Sequence, residues 1–361
     1  MSLPLCFHKS YPMNKTILFL ILSLCIFCIQ CTTNRPALKL VPAGQGSLVL
    51  NYDTIQKGPT RLFGLPGDTT TVMLYYLCSA DSTVKRRRLS DGSVTALYKL
   101  QGSEYGDMSQ VVDKGDTAFL FLASADIIAV APGWHRKYRL PKMAGKTYLF
   151  RVDDLNVHQG KVFIQYSVAT PPNFIDKYVD VVLPLYDTTD AALRYCGAYP
   201  DIYRKGVFYY TNASRTFTGN ALYYLFEKSD SLQVYDPGTL EPVAAIPVFT
   251  DISRDAADRP YDAARARDFV YLKEYVTIAE YNARIFQTQT GNQLYMIKRL
   301  PAEDAAAPMR YVVGKVRDNR YIGYAELPAD FDAWCHFFYN NTLYYISTRD
   351  KAWYQYSIEE I

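Results

Sequence analysis

Six runs of strand-forming residues recur along the 361 residues, apolar–proline steps punctuate them, and 32 tyrosines concentrate within them. Together these predict an all-β chain folded as a β-propeller, with six or seven blades of short antiparallel strands. The strand cores are 72–77, 118–122, 162–166, 221–226, 293–297 and 342–346, all dense in Val, Ile, Leu, Phe and Tyr. Closing steps stand at Leu65-Pro66, Leu140-Pro141, Leu183-Pro184, Ile246-Pro247, Leu300-Pro301 and Leu327-Pro328. Proline cannot donate to a central ladder, so each step belongs at a strand end or an outer edge. Adjacent tyrosines at Tyr75-Tyr76, Tyr209-Tyr210, Tyr223-Tyr224 and Tyr344-Tyr345 put one ring on each face of a strand. That suits a blade buried on both sides. Two β-sandwiches would need a linker near the middle, and no Gly/Ser/Pro-rich stretch divides the body; a lipocalin-like barrel is too small for this length.

The first element is an address. Lys15 precedes the apolar run 17–29, thirteen residues broken only by Ser23, and Met13 is the expected start of translation. A bilayer span needs about 20 apolar residues and a secretory core roughly 7–15, so the run predicts export. No small-residue cleavage site follows, but Cys31 stands where cleavage should fall, ahead of the polar stretch Thr32-Thr33-Asn34-Arg35-Pro36. In this the segment resembles bacterial lipoprotein signals, which implies residues 1–30 as signal, Cys31 as the lipidated residue carrying diacylglycerol and palmitate, and 31–37 as tether. Cys28 and Cys25 compete for the role, because Cys28 and Gln30 depart from the usual lipobox.

The propeller is expected over 38–361. Within it, Asp236-Pro237-Gly238 supplies turn chemistry after the strand 231–235, with proline presetting φ and glycine free to go positive. The intervals between Pro184 and Asn220 and between Phe249 and Arg284 read as loops or decorations. A small helical insertion is expected near 254–268, where alanines and alternating Asp and Arg gather, followed by a strand over 269–278. Lys85-Arg86-Arg87-Arg88 reads as a solvated outer strand held by salt bridges. A closing strand is expected at 353–358 or 47–52, completing the first blade.

Composition removes several function classes. With 49% hydrophobic residues, 21% charged and a net charge of +3, the chain is neither disordered nor built to bind nucleic acid. Removing 1–30 takes away Lys9, Lys15 and no acid, leaving about +1. Cys78, Cys196 and Cys335 lie far apart in apolar stretches, so buried free thiols are expected, and no spacing fits a metal. No nucleophile elbow, P-loop, Rossmann glycine pattern or zincin motif occurs, and no cofactor is implied. Catalytic residues are therefore unassigned, and the balance leans away from an enzyme. The candidate ligand contacts are Trp134, His135 and Arg136, where an aromatic platform adjoins cationic donors suited to sugars or anions.

With its signal, repeated strand cores and aromatic terminal strand Trp353-Tyr354-Gln355-Tyr356-Ser357-Ile358, the chain resembles the uncharacterised six-bladed β-propeller lipoprotein family of Bacteroidota. The resemblance implies a cell-envelope module anchored to the membrane by lipid, binding or scaffolding a protein, peptide or glycan partner. A polysaccharide hydrolase or lyase, and an envelope sensor or assembly accessory, are the alternatives. Thr32-Thr33-Asn34 lacks the acidic residues that mark surface export in such bacteria, which favours an outer-membrane anchor facing the periplasm.

Overall fold

The computed structural model describes residues 38–361 except short segments, among them 48–60, 65–71, 150–155, 170–174, 186–191, 253–260 and 288–292. Residues Ala37–Ile361 form one compact unit. The signal and tether, Cys31, Tyr209-Tyr210 and Cys335 lie outside the described residues.

The described strands make six separate antiparallel sheets, the blades of a propeller. Blade 1 is β2 (Arg61–Gly64), β3 (Val72–Cys78), β4 (Thr83–Arg88) and β5 (Val94–Lys99). Blade 2 is β6 (Met108–Asp113), β7 (Ala118–Leu122), β8 (Asp126–Ala131) and β9 (Trp134–Arg139). Blade 3 splits its first strand into β10 (Lys146–Tyr148) and β11 (Asn156–His158), both paired with β12 (Lys161–Val168), and continues through β13 (Tyr178–Pro184) and β14 (Arg194–Ala198). Blade 4 is β15 (Ala213–Thr218), β16 (Ala221–Phe226), β17 (Ser231–Tyr235) and β18 (Pro242–Pro247). Blade 5 is β19 (Tyr281–Gln287), β20 (Gln293–Arg299), β21 (Tyr311–Arg317) and β22 (Arg320–Glu326). Blade 6 is β23 (His336–Tyr339), β24 (Thr342–Ser347), β25 (Ala352–Glu360) and, in the fourth place, β1 (Leu38–Ser47).

The ring thus closes opposite to the expected sense. The segment 353–358 does take part, but the N-terminal strand completes the last blade, with Leu38 opposite Glu360 and Ser47 opposite Ala352. Gly46 leaves room for this pairing, since a Cβ there would run into the Trp353 indole. First strands of neighbouring blades touch (β2 with β23, β23 with β19, β19 with β15, β15 with β11), so they line the axis, and the fourth strands form the rim.

The six strand cores read from sequence are the second strands, β3, β7, β12, β16, β20 and β24, one per blade. A second strand is flanked on both edges and covered on both faces, which demands a near-continuous apolar run. Five apolar clusters fill the spaces between consecutive blades from 1 to 6. The tyrosine pairs serve this packing. Tyr224 reaches back to Asp180 of blade 3, and Tyr223 reaches forward to Asn319 of blade 5.

Three expectations need correction, the first being that the interval between Pro184 and Asn220 is loop or decoration, since it holds the blade strands β14 and β15. Residues Phe269–Ile278 are an α-helix, α2, rather than a strand. A shorter helix, α1 (Ile202–Lys205), precedes it in the chain. Asp268 caps α2 by accepting from the Val270 and Tyr271 N–H groups at 3.1 Å each. Tyr271 and Tyr275, one helical turn apart, then share a face against Tyr261. Of the expected insertion, a 3-10 turn at Ala263–Arg265 is described. The basic run Lys85–Arg88 lies in β4, a third strand and not an outer one, with Lys85 paired to Asp81 at 2.5 Å and Arg88 to Asp91 at 3.1 Å.

Cys78 and Cys196 are free and buried. Burial pushes the Cys196 thiol up to about 12. A maleimide at neutral pH should therefore leave Cys196 unmodified in the native protein and modify it after unfolding. Native labelling of Cys196 at the rate of a free thiol would contradict the burial.

Candidate functional site

A groove of about 410 Å³ opens at the rim where blades 3 and 4 meet, lined by Tyr178, Arg194, Tyr195, Tyr235 and the turn residues Thr239–Pro242. One wall follows from the pairing of β13 with β14, which sets Tyr178 opposite Ala198 and Val181 opposite Tyr195. The Tyr178 and Tyr195 rings lie 6.2 Å apart and within 21° of parallel. The other wall is the β17–β18 turn. Asp236 shapes it by accepting from Gly238 N, Thr239 N and the Thr239 hydroxyl through one carboxylate oxygen. Those amide bonds, with Thr239 foremost, hold its carboxyl below the usual range.

Cross-blade bonds hold the walls together. Arg194 donates to the Gly238 and Thr239 carbonyls at 3.3 and 3.0 Å. The Tyr235 hydroxyl accepts from Ala198 N and donates to Gln233, both at 2.9 Å, and burial pushes its pKa up to about 12. Behind Tyr195, the Lys146 ammonium sits over the Tyr195 and Tyr166 rings at 4.4 and 4.7 Å and bonds Asp176 at 2.7 Å. Burial opposes that charge, but the bonds to Asp176 and Tyr195 outweigh it and raise the Lys146 pKa. Tyr195 is therefore held in place before any ligand arrives.

Beneath the groove lies a buried polar centre. Arg215 Nε stands 2.6 Å from Asp180 Oδ2, with both side chains fully buried, and the Tyr224 hydroxyl donates to the same oxygen at 2.7 Å. Gly197, at φ +72°, brings the β14 backbone against the Tyr224 ring. Chemically the groove offers aromatic faces, one guanidinium, one carboxylate (Glu241) and the phenols of three tyrosines. That mixed set suits a neutral, hydroxyl-rich ligand. Among the described residues no group of three His, Cys, Asp or Glu could hold a metal ion.

Trp134, His135 and Arg136 are not in this groove. They begin β9, the outermost strand of blade 2, and all three are exposed. His135 meets the Tyr98 ring edge-on at 5.3 Å, and Arg136 lies 5.0 Å over Tyr138. Sequence reasoning noticed the Asp-Pro-Gly turn but missed Tyr178, Arg194, Tyr195 and Glu241, which only the fold brings together.

No protein-family model matches the sequence, and no curated protein matches it. Solved structures do. A member of the DUF4221 family from Bacteroides vulgatus aligns over 91% of this chain and 100% of its own, with TM-score 0.69 and 13% identity. A Bacteroides fragilis protein described as exported aligns over 90% of this chain and 95% of its own, with TM-score 0.50 and 13% identity. The likeness is one of fold.

Proposed function

We propose that this chain is a lipid-anchored binding propeller of the cell envelope, held at Cys31, whose groove between blades 3 and 4 takes a glycan. The observation that carries the reading is the pair of near-parallel tyrosines, Tyr178 and Tyr195, the latter held by Lys146, edged by Arg194 and Glu241. Tyrosine faces stack on the apolar faces of sugars, while rim charges and hydroxyls bond the ring oxygens. A hydrolase would set two carboxylates about 5–10 Å apart across the scissile bond, whereas among the described residues Glu241 is the one acid of the lining. The axis-lining strands support the same preference, since Asp113 is the one acid on β2, β6, β10, β11, β15, β19 and β23. Export agrees with the apolar run 17–29, and the anchor with Cys31 at its end.

The test has two arms. On an oligosaccharide array followed by titration calorimetry with the best-bound sugar, Tyr178→Ala should weaken binding about tenfold to a hundredfold. Equal affinity in the variant, or no bound sugar at all, removes the glycan reading. Radioactive palmitate should label the wild-type chain and not Cys31→Ser; label on the variant refutes Cys31 as the anchor.

A further inference from the structure

The end of the propeller from which the tether leaves is marked by the fold. In an antiparallel four-strand blade the hairpins from first to second and from third to fourth strand share one end. In blade 6 the fourth strand is β1, so Leu38, opposite Glu360, stands at that end. From Cys31 to Leu38 the chain spans at most about 25 Å.

The same end gathers exposed apolar side chains. Of the seven large hydrophobics exposed among the described residues, Val94, Trp134, Val243 and Ile361 lie there, 47–73% exposed. Val94 and Trp134 open β5 and β9, Val243 is second in β18, and Ile361 follows β25. Cations accompany them. Lys39, Arg136 and Arg320 are exposed within the first three residues of their fourth strands, and no acid occupies the first two positions of any of the six. Of the acids at this end, Asp91 pairs with Arg88, Asp236 closes its own turn and Glu360 bonds Lys315 and Arg317, while Glu241, Asp318 and Glu359 are exposed among the cations.

We infer that this end docks on the bilayer, with Trp134, Val94 and Val243 at the headgroup boundary and Lys39, Arg136 and Arg320 on anionic phospholipid. Tryptophan with neighbouring apolar and basic side chains is the composition of an interfacial contact, and each cation near an anionic surface adds to the attraction. The lipid chains on Cys31 would hold the propeller to the membrane without setting its orientation, and such a surface turns that leash into a fixed orientation. The inference rests on Cys31 as the anchor. It also gives the Trp134-His135-Arg136 cluster a lipid partner, and sets the groove, through Arg194 and Glu241, beside the bilayer.

The test reconstitutes the mature full-length lipoprotein in phosphatidylethanolamine/phosphatidylglycerol vesicles with brominated acyl chains. Trp134 emission is isolated by subtracting a Trp134→Phe variant, which leaves Trp334 and Trp353. About a twofold quenching of that component is expected, and a Lys39→Glu/Arg136→Glu/Arg320→Glu variant should lose most of it. Unquenched Trp134 in a palmitate-labelled protein overturns the docking and leaves the anchor standing. Quenching untouched by the triple variant overturns the role of the cations. A wild-type chain that takes no palmitate overturns the anchor, and this inference with it.

Discussion

Replacing Asp180 by alanine is expected to lower the unfolding free energy by about 3–5 kcal/mol, measured as a fall in the urea midpoint. The Arg215 guanidinium would remain fully buried without its counter-ion, and the Tyr224 hydroxyl would lose its acceptor. An unpaired buried charge costs far more than the pair itself contributes. A double variant, Asp180→Leu with Arg215→Met, removes both charges and should recover at least half of the loss. If the single variant costs under about 1 kcal/mol, the pair is not the lock between blades 3 and 4 that its burial implies.

Gly197→Val should be nearly as damaging, about 3–5 kcal/mol, because two faults combine. The position has φ +72°, which a β-branched residue adopts only under strain, and a Cβ there would stand 2.6 Å from Val179 Cγ1 and 2.9 Å from Tyr224 Cε1. Gly160 separates the two terms. Its φ is +69°, but nothing lies within 4 Å of a Cβ, so Gly160→Val should show the backbone term alone, about 1–2 kcal/mol. Equal thermal shifts for the two variants would mean that contact with the Tyr224 ring plays no part.

The architecture was legible where burial is symmetric. β3, β7, β12, β16, β20 and β24 announce themselves because both faces are covered. First strands are less visible: β11 and β23 have three and four residues and carry His158 and His336. Rim strands are exposed and polar, as in β9 with Trp134-His135-Arg136-Lys137-Tyr138-Arg139, which keeps an open edge from pairing with another chain. Leu65-Pro66 lies outside the described residues, and the other apolar–proline steps are true strand ends but not one repeat mark. Leu140, Ile246 and Leu327 close fourth strands, whereas Leu183 and Leu300 end a third and a second. α2 was misread because Val270, Tyr271, Val276, Thr277 and Ile278 favour strands, and the Asp268 cap with the Tyr271–Tyr275 pair overrides them. The groove was invisible for another reason. Tyr178, Tyr195 and Glu241 meet only through the packing of two blades, and no spacing along the chain encodes that.

The groove as the ligand site is most directly tested by amide hydrogen exchange, with and without the best-bound oligosaccharide. Exchange should slow in Tyr178–Pro184, Arg194–Ala198 and the turn 236–242, with β15, β19 and β23 unchanged. Slowing confined to those axis-lining strands would place the ligand in the centre of the ring and contradict the groove as its site.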